Sequence, residues 1–416
     1  MLPVRRYFHT RLKRWLVPSS LLRAIRALFY RLAPLLDGLL LLSLPPRVDG
    51  AKVLVIRLDA IGDFVLWLDA ARALVKRYHL QGYSVVLLGN KVWAGWAREM
   101  GVADEVWDLD VNQFCNRYFY RWQWLRRIRQ AGFRIAIETS FLRIFLTGDS
   151  LVRASGAVER IGSAGDQTKI IFWSKSWSDR WYTRLIPASP VQLMELKRNA
   201  EFMRGLGFTD FRARRPSIPQ AQSGITDRLP RQPYAVLAPT AGWDGREWPL
   251  ENFIEIGQRF AALGLNIVVV GSPADRERVS GLLDALSGKT VDLVGSTTLS
   301  ELAEVLRHAT VVLTNETGTL HIGAAVGAPV VCILGGGHYG RFVPYEIEVP
   351  EESHSLPIIV AEPMPCYGCD WICKYPRKNS EAVKCIQDIS IEKVWASLEM
   401  ALSERKKLIE GKNTCV

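Results

Sequence analysis

The chain has 416 residues, more than one hydrophobic core usually serves, so two domains are expected. Hydrophobic residues make up 48% and charged residues 23%, which excludes collagenous, disordered and disulfide-dense classes. The net charge is +11, but eight cations (Arg5, Arg6, Arg11, Lys13, Arg14, Arg23, Arg26 and Arg31) precede Leu36 with no Asp or Glu among them. A nucleic-acid binder carries its charge on the folded domain, so no nucleic-acid partner is expected.

Residues 1–50 read as a basic amphipathic extension. Leu21, Leu22, Ile25, Leu28, Phe29 and Leu32 recur at helical spacing, with Arg23, Arg26 and Arg31 off that face. Each cation beside an anionic bilayer contributes about 1 kcal/mol, so residues 1–36 are expected to dock on the cytoplasmic face of the inner membrane. A helix packed on the protein's own surface is the alternative. The apolar run Leu35–Leu44 is shorter than the roughly 18–20 residues that span a bilayer. Pro45 and Pro46 follow it instead of a cleavage site, so a cytoplasmic location is expected.

From Lys52 short apolar runs alternate with helical stretches. Lys52–Leu58, Tyr83–Gly89, Glu105–Asp110 and Arg134–Thr139 read as strands, with a helix over Asp63–His79. Arg212–Pro233 holds four prolines and reads as a linker. The alternation restarts with strands at Tyr234–Ala238, Asn266–Gly271, Val291–Gly295, Val311–Asn315 and Pro329–Gly335, and a helix over Leu250–Leu263. Helical periodicity returns over Ile389–Lys407. The pattern predicts an α/β protein with two doubly wound parallel sheets. The expected divisions are 51–215, a linker at 216–233, 234–388, and a terminal helix at 389–416 packing back across the domains. Ligands bind beyond the carboxyl ends of such strands, so an interdomain cleft is the expected site.

Four segments at strand ends carry candidate chemistry. Gly62-Asp63 follows the first strand; Gly62 permits a tight turn, and Asp63 read alone is more readily an N-cap than a base. Asp59 reads the same way. Pro239–Pro249 holds Thr240 and Arg246, which suit phosphate oxygens. Glu316, Thr317, Gly318 and His321 open a helix rich in small residues, and a helix N-terminus attracts a diphosphate. Gly335-Gly-Gly-His338-Tyr-Gly-Arg341 frees backbone for a ligand, with His338 and Arg341 as contacts; a flexible loop is the alternative. Asp108-Leu-Asp110 matches a metal-binding Asp-x-Asp but ends an early strand, and is read as coincidence. Cys366, Cys369, Cys373 and Cys385 have the count of a four-thiolate site for structural zinc or iron, against the alternative of reduced buried thiols.

Taken together and in this order, the Gly-Asp after the first strand, the Arg-x-Trp-Pro segment and the acidic-Thr-Gly-x-x-His segment resemble glycosyltransferase family 9, the lipopolysaccharide heptosyltransferases. The resemblance implies the GT-B fold, two Rossmann-like domains facing a cleft, and an inverting transfer. Asp63 would be the catalytic base. Thr240, Arg246, Glu316, Thr317, Gly318, His321, His338 and Arg341 would bind the donor. The family has Lys and Asp where this chain has Arg246 and Glu316. Implied partners are a nucleotide-diphosphate sugar such as ADP-heptose and a glycolipid acceptor, with no metal needed for the step. Transferases that modify autotransporter proteins are similar in carrying iron-holding cysteine clusters, which keeps a protein acceptor open as the alternative. A non-catalytic or DNA-binding protein is the third reading.

Overall fold

The computed structural model describes residues 32–48, 50–168, 170, 172–222, 224–349, 356–378 and 381–413. Most of the expected membrane arm therefore lies outside the described residues.

The first sheet comprises β1 (Lys52–Arg57), β2 (Ser84–Asn90), β3 (Glu105–Leu109), β4 (Ile135–Glu138), β5 (Glu159–Ser163) and β6 (Arg184–Ile186), in the order β3-β2-β1-β4-β5-β6. The second comprises β7 (Tyr234–Ala238), β8 (Asn266–Val269), β9 (Thr290–Asp292), β10 (Val311–Asn315), β11 (Val330–Leu334) and β12 (Ile358–Ala361), in the order β12-β11-β10-β7-β8-β9. Counted from its own first strand, each sheet has the Rossmann order 3-2-1-4-5-6. The strand pairings are parallel, as in β1 against β4 and β7 against β10. β7, β10 and β11 are buried along their whole length because helices cover both faces of a parallel sheet.

Three strands escaped the sequence reading. β5 (Glu-Arg-Ile-Gly-Ser) and the edge strand β6 (Arg-Leu-Ile) lack a continuous apolar run. β12 was lost in an irregular stretch after the glycine loop.

The chain divides into two compact units. One holds the described residues through Asp59, with Ala71–Pro190 and Glu201–Thr209; the other holds Ala60–Ala70, Val191–Ala200 and the described residues from Asp210 onward. The first turns of the helix Ile61–Leu80 thus belong to the second unit, together with its donor-type loops. The second core gathers Trp248, Phe253, Phe260 and Leu313, and the C-terminal helix Ile391–Asn413 adds Val394 and Leu398. The proline-rich segment packs on the same unit: Ile218 N–H donates to the Ala325 carbonyl at 3.0 Å. No helix among the described residues is long and apolar enough to cross a membrane.

Candidate active site

In the second sheet the winding reverses between β7 and β10, the place where open α/β sheets bind ligands. Two chain segments leave there. Asn315, fully buried at the end of β10, ties them together. Its Nδ2 donates to the Pro239 carbonyl at 2.7 Å, and its Oδ1 accepts from Trp248 N–H at 3.1 Å. Sequence reading passed over Asn315, because a lone Asn at a strand end carries no signature.

This clamp brings Arg246 to Glu316. Arg246 Nη2 donates to Glu316 Oε2 at 2.7 Å and to the Glu316 carbonyl at 2.5 Å. Burial raises the Glu316 carboxyl pKa, and the Arg246 charge opposes that rise. The two positions at which this chain departs from the family pattern therefore form one ion pair.

Thr317, in extended conformation, precedes the helix Gly318–Ala325, whose first amides have no intrahelical partner. Gly323 is needed for close packing, since a Cβ there would lie 2.8 Å from Val330 Cγ2. His321 is buried one turn in. Its ring stacks on Tyr345 with an interplanar angle of 3°, and Nδ1 lies 2.8 Å from the Tyr345 hydroxyl. Burial, with the Arg246 charge adding to it, pushes the imidazole pKa down to about 3, so the ring is neutral at physiological pH. The same ring packs on Gly62: a Cβ there would sit 2.7 Å from His321 Cδ2. Gly318 meets Ile61 in the same way, at 3.2 Å from its Cγ2. The first turns of these two helices therefore abut within the second unit, and half-buried Asp63 stands in the first turn of Ile61–Leu80 rather than at its N-cap. Asp59 is engaged elsewhere, by Arg57 Nε at 2.9 Å and by the Ser140 hydroxyl at 3.2 Å.

The glycine-rich loop needs two of its glycines for packing. A Cβ on Gly336 would overlap the Tyr367 ring, and one on Gly337 would overlap Trp371. The missing side chains make room for the cysteine segment. Asp370 and Trp371 adopt left-handed backbone conformations, with φ of 47° and 62°. Asp370 Oδ1 lies 2.9 Å from His338 Nε2, and the Arg246 guanidinium sits 5.1 Å from the centre of the Trp371 ring. With Nε2–H donating to Asp370, a neutral His338 leaves Nδ1 as an acceptor. Burial and the Arg341 and Arg246 charges lower its pKa, while Asp370 pulls the other way. Arg341 lies 4.5 Å over the Phe342 ring, and its carbonyl accepts from Glu195 N–H at 2.7 Å. Arg246 Nε, His338 Nδ1 and Trp371 Nε1 are buried with no hydrogen-bond partner among the described residues. An unpaired buried polar group costs about 1–3 kcal/mol, and such groups cluster where a polar ligand completes the bonding. Nothing in the sequence marks Trp371, which stands between Cys369 and Cys373. Thr240 is half-buried in the loop after β7.

Cys366, Cys369, Cys373 and Cys385 line one small cavity with Met364, Trp371 and Tyr375. Cys385 Sγ accepts from Gly336 N–H at 3.4 Å, a bond that suits a thiolate, although burial raises the pKa of this thiol. Among the described residues, no group of three or more His, Cys, Asp or Glu side chains is arranged to hold a metal ion. Donor type fits a thiophilic metal; the spacing shown is not closed around one. In Asp108-Leu-Asp110, Asp110 caps a helix by accepting from Gln113 N–H at 2.9 Å and pairs with Lys91, while Asp108 faces Arg98 at 3.4 Å. Both carboxylates have structural partners.

Two Rossmann-ordered sheets, with an anion-type helix terminus at the switch point of the second, define a GT-B glycosyltransferase. The chain belongs to glycosyltransferase family 9 (heptosyltransferase), whose model matches residues 126–351, more than half of the sequence. Among curated relatives, lipopolysaccharide heptosyltransferase 1 of Pseudomonas aeruginosa is 24% identical over 312 residues, covering 70% of this chain and 82% of that protein. Among solved structures, a family 9 glycosyltransferase of Veillonella parvula superposes with a TM-score of 0.66 at 18% identity, covering 86% of this chain and 99% of that one. The iron-containing dodecameric heptosyltransferase TibC of enterotoxigenic Escherichia coli, in complex with ADP-D-β-D-heptose, superposes at 0.51 with 13% identity, covering 87% of this chain and 78% of that one.

Proposed function

We propose that this enzyme transfers a heptose or related sugar from ADP to a hydroxyl of a lipopolysaccharide or other glycolipid acceptor. The observation that carries the reading is the abutment of the Gly62-Asp63 turn on the Thr317–His321 helix start, which puts a carboxylate beside a diphosphate-type terminus. Asp63 takes the acceptor proton as general base. The acceptor oxygen then bonds to the anomeric carbon as the bond to the diphosphate breaks, and the nucleoside diphosphate leaves with the electron pair, inverting the configuration. Arg246, Thr240 and the amides at Thr317 and Gly318 stabilise the charge gathering on the leaving group. His321 stays neutral and holds the turn; Glu316, His338 and Arg341 complete the donor pocket. The relatives act on lipopolysaccharide by name, and this is the support for that acceptor. The basic arm would keep the enzyme on the cytoplasmic face of the inner membrane, where lipid-linked acceptors are. The four cysteines hold one structural zinc or iron on this reading.

A protein acceptor is the second reading, favoured by the cysteine segment alone. Mass spectrometry after incubation with ADP-heptose and either heptose-free lipopolysaccharide core or an autotransporter fragment separates the two by which acceptor gains mass. Asp63→Asn should keep ADP affinity and lower turnover by roughly 10²–10⁴-fold. Unchanged turnover would remove Asp63 from the base role.

A further inference from the structure

Residues 32–43 form a helix whose two sides differ sharply. The inner side is pinned to the first unit. Ala33, Leu40 and Leu41 are buried, Asp37 is gripped by Arg121 through Nε at 3.0 Å and Nη2 at 2.5 Å, and Arg129 Nε donates to the Leu44 carbonyl at 2.8 Å. The outer side is mostly leucine: Leu35, Leu39 and Leu42 are 58%, 65% and 85% exposed, with Leu32 and Leu36 beside them and Ser43 at the end. The helix Tyr118–Gln130 extends this face with Phe119, 66% exposed, and Trp122, whose rings lie 6.0 Å apart. A groove lined by Leu36, Leu39, Tyr118, Phe119 and Trp122 joins the two helices. A fixed apolar patch of this kind marks a contact with something else.

Charge decides what that is. In segments 32–48 and 111–134 the only carboxylate is Asp37, already buried and neutralised, while Arg47, Arg117, Arg126 and Arg127 are exposed. Arg126 lies 5.9 Å from the Trp122 ring. In sequence, the apolar spacing continues back from Leu32 through Leu28, Ile25 and Leu21, which lie outside the described residues, amid eight cations and no acid. A second copy on this face would bring like charges together. An anionic bilayer satisfies both features: acyl chains for the leucines and phosphate headgroups for the arginines.

We propose that the leucine and aromatic face of the first unit is a preformed lipid-docking surface that enters the headgroup boundary of an anionic membrane. This goes beyond electrostatic docking by the arm, and it rests on the lipid-linked acceptor reading only for its purpose. The test therefore uses neither donor nor acceptor. Full-length protein, Leu39→Gln/Leu42→Gln and Phe119→Ser/Trp122→Ser are sedimented with vesicles of phosphatidylethanolamine and phosphatidylglycerol, and with phosphatidylcholine alone. The parent should bind the anionic vesicles and keep a bound fraction at high salt. Each double variant should bind at least about tenfold more weakly, with that salt-resistant fraction gone; Leu39→Gln/Leu42→Gln, at exposed positions, should also keep the parental melting temperature. Binding of both variants equal to the parent, or no binding by the parent, overturns the proposal. A parent dimer that the substitutions split overturns it in favour of a second copy.

Discussion

Arg246 and Glu316 must be judged together, because each is the other's partner at 2.7 Å. Arg246→Gln alone leaves a buried carboxylate uncompensated and should cost roughly 3 kcal/mol of stability, hiding any effect on the donor. Arg246→Gln with Glu316→Gln keeps a hydrogen-bonded pair without the charges. That double variant should fold near parental stability and bind ADP more weakly by about 1.5–3 kcal/mol in calorimetry. Equal affinity would mean the guanidinium serves Glu316 and not the diphosphate. Residue types and their order are legible in the sequence, but partners are not: Arg246 and Glu316 are separated by 70 positions, and neither announces the other. Asn315, Tyr345 and Trp371 were illegible for the same reason, since their importance comes from what the fold sets beside them.

At the level of elements, the buried central strands were read nearly to the residue, because a strand covered on both faces is a continuous apolar run. Tyr234–Ala238 and Val311–Asn315 are the strands expected from sequence. β5 and the edge strand β6 are covered less completely and tolerate Glu159, Arg160 and Arg184, so their pattern is diluted. The cysteine segment is the element whose chemistry is most open to measurement. Protein purified without added metal should contain close to one zinc or iron per chain by elemental analysis, with the four clustered thiols slow to react. Metal near zero and all four thiols titrating freely would leave reduced cysteines around an apolar cavity.

For the whole molecule, stability should depend on pH through one carboxyl that sequence reading ignored. Glu138 ends β4 inside the first unit, where burial, with the charges of Asp149 and Asp59, raises its pKa to about 8 against the opposing effects of Ser140 and Arg143. Its Oε2 has no hydrogen-bond partner among the described residues, as suits a protonated acid. A raised folded pKa makes the contribution complete below the ordinary Glu range and progressively lost as pH rises towards about 8. Glu138→Gln cannot ionise. Its stability should equal or slightly trail the parent near pH 4 and exceed it at pH 9 by on the order of a few kcal/mol, read by denaturant unfolding at each pH. A gap that does not widen with pH would mean Glu138 is ionised in the folded protein.

The overlap of Gly336 with Tyr367 and of Gly337 with Trp371 bears on how such proteins can be recombined. Loop and cysteine segment are separate in the chain yet sterically one cassette. A chimera that takes residues 335–341 from a relative with side chains at those positions, while keeping the aromatic knuckle, would jam. One that exchanges 335–341 and 364–386 together would carry both halves of the fit. Homologous exchange among these enzymes is therefore expected to succeed at breakpoints outside that interval and to fail within it.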